Sequence, residues 1–235
     1  MNITSKESAA EFLDELKSKI RLHPSVDHRF FREFGEKHLS REQVHRFAVQ
    51  WFKAAERLKI AFPALICNSV DDDTRFELID VLYEEYGSGN REAIHATMLK
   101  KFLAGLGISG EEAEAAPSLK SIERFFVEVQ RLWRDAHPAV AFGSHFSMET
   151  AAANVHDHFA RGIDQYPYIV EKSYFTLHKT AEVRHSSSAE DGFLRFAVDP
   201  QNRVLLQQGA VQGLDLLLDM WEALYRHVFE GAPDA

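Results

Sequence analysis

A single cysteine, Cys67, stands in 235 residues, so no intramolecular disulfide can form and no thiolate cluster can hold zinc or an iron–sulfur centre. Any bound metal must be held by imidazole and carboxylate. Long apolar runs are also missing: no stretch approaches ~18 uninterrupted apolar residues, and the opening MNITSKESAAEFLDELKSK is polar and amphipathic, without an apolar leader segment. The expectation is a chain that neither spans a membrane nor is secreted, hence a cytoplasmic one. Basic clusters are absent as well. Lys and Arg number 27 against 36 Asp and Glu, a net charge of -9, and nothing in the sequence could neutralise a row of phosphates, which argues against a nucleic-acid partner.

Two further absences concern the fold. No low-complexity linker and no internal repeat divides the chain, which at this length suits one domain, 1–235. No segment sustains the apolar–polar alternation of a half-buried strand. What recurs instead is helical spacing, which predicts an all-α bundle of seven to nine helices over about 5–22, 25–37, 40–70, 73–86, 91–106, 118–136, 138–161, 168–189 and 200–229. Several stops are well marked. Ser40 and Gln43 form a capping box; Gly87 sits where a helix takes a left-handed residue after its last turn, and Asn90 is an N-cap for the next helix. HSSSAEDG, from His185, is a weak helix former, so the helix before it is expected to end or fray there.

What the sequence has in quantity is histidine, 12 residues, and phenylalanine, 18. The densest chemistry lies in YFTLHKTAEVRH. At 100° per residue His178, Glu182 and His185 fall within about 60° of one helix face, and the outer two lie about 10.5 Å apart along the axis. That is long for one ion and comfortable for two. The bland alternative is a pair of core histidines and a solvated acid. Partners for such a stripe exist elsewhere. In LYEEYGSGNREAIH, Glu85 in a last helical turn and His95 in the second turn of the next helix would face each other across a tight hairpin. Glu92 also makes an E-x-x-H with His95, but an acid in a first turn is explained by the helix dipole, so Glu85 is preferred, with Glu84 a lesser alternative. Glu149, among Phe146, Ala152 and Ala153, is a carboxylate in apolar surroundings that suits a bridging role.

Other residues keep two readings. His145 and His156 are either donors behind the ligands or core and surface residues. Glu56 is more simply a solvated acid. Phe47, Trp51, Phe146 and Tyr174 line a pocket or belong to the core, and Arg184 beside the stripe is a candidate clamp for a substrate carboxylate. Cys67, in the apolar PALICNSV, reads as buried and inert. A ligand set of imidazole and carboxylate without sulfur suits iron or manganese and favours redox chemistry over zinc hydrolysis.

These residues resemble the haem-oxygenase-like di-iron oxidase and oxygenase family, relatives of the pyrroloquinoline-quinone synthase and thiaminase-type helical bundles. The resemblance runs over about 40–228 and is carried by EEYGSGNREAIH, matching the family's acid, turn and histidine, and by HKTAEVRH, matching its His, acid, His stripe. It implies a metal-ligand set of Glu85, His95, Glu149, His178, Glu182 and His185. Many relatives carry Asp where this chain has Glu182. It further implies two ferrous ions, O2 as co-substrate, an external electron donor and a homodimer. The implied chemistry is oxidation of a small, amino-acid-derived substrate through a peroxo di-ferric species, by N-oxygenation or oxidative carbon–carbon cleavage or decarboxylation, in natural-product biosynthesis. The last motif helix of the family gains order on binding metal, and the weak HSSSAEDG here is consistent with that. Three competing expectations stand beside this one: a metal-free enzyme of the same fold, either quinone-synthase-like or thiaminase-like; a haem protein with His23 or His28 as axial ligand; and a non-catalytic helical interaction module.

Overall fold

The computed structural model describes the backbone of residues 3–232 and the side chains of residues 8–178 and 187–232. Ten α-helices and no strand occur among the described residues. In chain order they are α1 (Ile3–Arg21), α2 (Arg29–Glu36), α3 (Arg41–Asn68), α4 (Asp72–Glu85), α5 (His95–Gly105), α6 (Gly110–Ala115), α7 (Lys120–Asp135), α8 (Pro138–Asp164), α9 (Ser173–Ala197) and α10 (Pro200–Tyr225). A single π-helical turn, Arg226–Glu230, follows α10 and ends at Gly231 with φ 67°.

The helix starts are local chemistry. Ser40 Oγ accepts from the Gln43 amide while Gln43 Oε1 accepts from the Ser40 amide, the reciprocal cap that the sequence announces. α8 and α10 both begin with proline behind a capping side chain, His137 and Asp199 respectively, where the missing N–H costs nothing. α2 is capped by His28, whose Nδ1 accepts from the Phe30 amide.

α8 is the centre of the bundle. Almost every residue of its first half is buried, from Ala139 to Ser147, and α2, α7, α9 and α10 all pack against this helix. α10 approaches it closely. A Cβ added at Gly209 would lie 1.9 Å from the Val140 carbonyl oxygen and one at Gly143 2.2 Å from that of Leu206, so the two backbones meet where only glycine fits. Ser147 Oγ adds a hydrogen bond to the Ala210 carbonyl at 3.1 Å. Around this seam one hydrophobic core runs from α1 to the π turn, with Phe30, Phe31, Phe34, Phe47, Phe159 and Trp221 interlocked at 4.5–6.3 Å between ring centroids. α4 and α5 lie against both α3 and α9, which brings the two ligand-bearing segments of the sequence side by side.

The structure corrects the sequence reading in four places. α6 was not anticipated; it is six residues long and depends on Ser109, whose Oγ accepts from the Glu112 amide. Arg91–Ala93 is a 3-10 turn and Ile94 an extended break, so His95 opens α5 and lies in its first turn rather than a second. α9 does not stop at HSSSAEDG but runs to Ala197, anchored beyond that stretch by Phe193 and Phe196 in the core and by Arg195 on Glu77. Cys67 is exposed.

Candidate metal centre

The turn after α4 sets the first half of the site. Tyr86 ends the helix, and Gly87, Ser88 and Gly89 follow with φ of 78°, 50° and 87°, three successive left-handed residues that reverse the chain at once. A Cβ at Gly87 would sit 2.3 Å from the Asn90 carbonyl oxygen, so the reversal requires glycine there. Asn90 Oδ1 then accepts from the Glu92 amide and starts the 3-10 turn. The outcome is that Glu85 and His95, the last and first residues of two helices, face each other with Glu85 Oε2 2.9 Å from His95 Nδ1.

The second half comes from α9. His178 Nδ1 lies 2.9 Å from the carbonyl oxygen of Tyr174, one turn back, and donates to it. That bond fixes the tautomer and leaves Nε2 with the lone pair, as a ligand requires. The His178 ring packs edge-on to His95 at 4.4 Å and stacks on His156 at 4.4 Å and 21°, with Tyr174 against it at 4.0 Å. One ligand atom each from Glu85, His95 and His178 lie within 4.8 Å of one another. Both imidazoles are buried, and Glu85 keeps only 13% of its side chain exposed.

These residues fit a metal ion. His95 Nδ1 is buried and, despite its 2.9 Å separation from Glu85 Oε2, makes no hydrogen bond of acceptable direction among the described residues. The distance alone gives an ion-pair contact; the direction shows that nitrogen and carboxylate do not point at each other. Two ligand atoms close together and turned aside are compatible with a cation shared between them, and an unpaired buried nitrogen is otherwise costly. The donor set, one carboxylate and two imidazoles, suits iron or manganese.

Glu149 on α8 lies outside this triplet but faces the same cavity, a space of about 130 Å³ that Glu85, His145, His156 and His178 also line. Its Oε1 is 3.6 Å from His145 Nδ1, and His145 is itself packed edge-on against Phe62, Phe142 and Trp133. His145 thus lies beside Glu149, and His156 stacks on His178, both in the wall of this cavity. Glu182, Arg184 and His185 fall on α9, but their side chains lie outside the described residues.

The remaining candidates resolve towards the bland readings. Glu56 pairs with Lys59 at 2.9 Å; Glu92 is exposed and pairs with Lys101 at 2.9 Å, whose ammonium holds its carboxyl below the usual range. Glu84 does not line the cavity. Trp51 and Tyr174 do line it, whereas Phe47 and Phe146 belong to the core. His23 contacts Asp215 and Ser25, and His28 uses both ring nitrogens, on Phe30 N–H and on Glu222, so neither is poised for haem. Cys67, though exposed, does not reach the cavity, which removes the thiaminase-type nucleophile. What the sequence reading missed is the opposite wall, Phe125, Phe126 and Trp133 from α7 and Leu217, Met220 and Trp221 from α10. The helical spacing of 217, 220 and 221 marks a buried face but not what it faces.

Comparison with known proteins identifies the family. The family model described as iron-containing redox enzyme matches residues 45–221, and the chain belongs to that family. It is 23% identical over 209 residues to the 4-aminobenzoate synthase of Chlamydia pneumoniae, covering 88% of this chain and 91% of that one. It is 22% identical over 215 residues to the 4-chloro-allylglycine synthase of Streptantibioticus cattleyicolor, covering 91% and 82%. Among solved structures, a CADD-like protein of unknown function from Nostoc punctiforme superposes with a TM-score of 0.78 at 14% identity, over 94% of this chain and 99% of that one. The fold is haem-oxygenase-like.

Proposed function

We propose that this iron-containing redox enzyme is a non-haem di-iron oxidase or oxygenase that uses O2 to oxidise a small, amino-acid-derived molecule in a biosynthetic pathway. Glu85, His95 and His178 hold one ion, and Glu149 together with Glu182 and His185 of α9 completes the pair. The observation that carries this reading is the convergence of Glu85, His95 and His178 within 4.8 Å, with His178 oriented by the Tyr174 carbonyl. Both relatives are named as synthases of small molecules, an aminobenzoate and a chlorinated allylglycine, which supports a biosynthetic role and an amino-acid-derived substrate here.

Iron held by these ligands supplies the electrons that activate O2. The chain's own residues do the rest. The Tyr174 carbonyl keeps the Nδ1 proton of His178 in place, and such supporting partners commonly matter 10–100-fold to metal affinity. His145 sits where it can orient the Glu149 carboxylate. Trp51, Phe62, Met148 and Trp133 wall the cavity with apolar surface that excludes water and orients a small substrate. A cytoplasmic homodimer supplied by an external electron donor is the setting this reading implies.

The reading is tested by loading the chain anaerobically with ferrous iron and mixing it with O2 in a stopped-flow spectrometer. A transient visible band is expected; an unchanged spectrum with iron bound contradicts O2 activation, and a Soret band would show haem instead. Ferrous loading is also expected to slow amide exchange over 174–190, and exchange that is equally slow without metal would contradict metal-coupled ordering of α9.

A further inference from the structure

Two indole N–H groups belong to residues of the cavity wall. Trp51 Nε1 on α3 and Trp221 Nε1 on α10 are both buried, and neither meets a hydrogen-bond acceptor among the described residues. Both rings line the cavity of the metal ligands and lie nearly parallel, with centroids 6.0 Å apart at 24°. Trp133 is the control. It lines the same cavity, yet its Nε1–H donates to Ser144 Oγ at 2.9 Å, and Ser144 passes its own proton to the Ala141 carbonyl at 2.8 Å. The chain thus satisfies one indole and leaves two, on different helices but side by side. Buried donors are rarely left unpaired, since each lost bond to water costs stability that only another acceptor restores.

The chemistry of the missing partner follows from the donor. An indole N–H donates and cannot accept, so the partner carries an acceptor. No Lys or Arg side chain lines the cavity among the described residues; beside the acids, imidazoles and Tyr174 of the site, these two indoles add a pair of uncharged N–H donors that meet no acceptor among the described residues. They are also placed for orientation. Trp51 packs edge-on to His156 at 5.9 Å, and His156 stacks on His178 at 4.4 Å, so the donor pair lies two rings away from a metal ligand. A molecule gripped there by one end presents its other end to the ligands.

We propose that Trp51 and Trp221 form a paired donor site that binds an acceptor oxygen, of a carboxylate or a carbonyl, on a small substrate with an apolar body, and so set which end of it faces the metal. The orienting part rests on the di-iron reading; the donor site stands without it. Phenylalanine keeps an aromatic ring but removes the N–H together with the pyrrole half of the indole, so a probe without an acceptor is needed to separate donation from shape.

The test is the indole region of a ¹H–¹⁵N spectrum of the full-length chain, metal-free and zinc-loaded, where three signals are assigned with Trp51→Phe, Trp133→Phe and Trp221→Phe. The probes are benzoate, acetophenone and ethylbenzene, which carry a carboxylate, a carbonyl and no acceptor. Benzoate or acetophenone is expected to move the Trp51 and Trp221 protons downfield and leave Trp133 in place, while ethylbenzene moves none of them downfield. Whichever of the two acts alone identifies the acceptor. Trp221→Phe is expected to weaken that probe about tenfold while ethylbenzene changes less than about twofold. Still indole signals with both oxygen-bearing probes, movement of all three together, or equal loss of ethylbenzene in Trp221→Phe would overturn the proposal. Should Trp221→Phe not fold, Trp51→Phe serves for the affinity comparison and the wild-type spectra still decide. A separate anaerobic ferrous titration of the metal-free chain keeps the two readings apart, since a chain that binds no iron sinks the di-iron reading and says nothing against the indole pair.

Discussion

His28, the N-cap of α2, and His178, inside α9, are both buried histidines, 6% and 3% exposed, and their rings meet different surroundings. His28 Nδ1 accepts the Phe30 N–H at 3.2 Å and its Nε2 meets Glu222 Oε2 at 3.0 Å, so the local fold consumes the whole ring. His178 commits Nδ1 to a carbonyl of its own helix and turns the rest of the ring towards Glu85 and His95. Burial therefore does not distinguish a structural histidine from a ligand. What the ring faces does: His28 meets a backbone amide and an acid that Arg29 also holds, whereas His178 lies beside a second imidazole and the Glu85 carboxylate, and this separates the region around α2 from the region around α9.

Replacing His178 with Ala breaks the comparison most strongly: iron binding at the Glu85–His95 position is expected to be lost while far-ultraviolet helicity is retained, as metal analysis and circular dichroism would show. A cooperative loss of fold with no metal effect in the wild type would place His178 in the same class as His28. Next in size is Gly87→Ala, which forces a Cβ to 2.3 Å from the Asn90 carbonyl oxygen at a φ of 78°. Strain of about 1–3 kcal/mol is expected in a denaturant melt, together with weakened iron binding, because Glu85 and His95 are opposed only through that turn. Stability loss with unchanged iron affinity would separate the turn from the site.

His28→Ala supplies the contrast. It removes an N-cap and should cost about 1–2 kcal/mol with the iron count unchanged. Iron lost from this variant would revive the haem or ligand reading of His28. A pH arm sharpens this. Burial, opposed by Glu222, holds the His28 imidazole below its ordinary 6.5, and the cap itself needs an unprotonated Nδ1. Partial desolvation pushes the Glu222 carboxyl up, yet hydrogen bonds from Arg29 and His28 bring it below the usual carboxylate range. Both folded values lie below the unfolded ones, so the stabilisation is present above about pH 6.5 and is lost as pH falls through them, His28 first and Glu222 further into acid. The melting temperature should fall from pH 7 towards pH 5.5, and His28→Ser, which caps without titrating in this range, should flatten that fall. An equally steep fall in the variant would assign it elsewhere.

The sequence made the local half of this account legible. Ser40 with Gln43 and Gly87 with Asn90 mark their ends because caps and left-handed turns depend on residues within a few positions, and the opposition of Glu85 and His95 follows from that turn. His95 fell one turn from its expected place because the extended Ile94 is a backbone choice that no side chain announces. HSSSAEDG stays helical against its propensity because Arg195 on Glu77 and Lys17 on Glu190, contacts more than a hundred residues apart in sequence, hold the far end. Cys67 was misjudged since apolar neighbours in the chain do not say which face of α3 it occupies. Trp221 was invisible as a wall residue, because the seating of α10 on α8 is a tertiary contact that helical spacing does not reveal. The tertiary contacts that bring the site together are the part that periodicity leaves unsaid.

The central claim is that this chain holds iron through imidazole and carboxylate, and its most direct test is an anaerobic ferrous titration with metal counted per chain after desalting. About two irons per chain are expected for the wild type, with the count reduced in His178→Ala and unchanged in His28→Ala. A wild-type chain that retains no iron, or a count as low in His28→Ala as in His178→Ala, would contradict it.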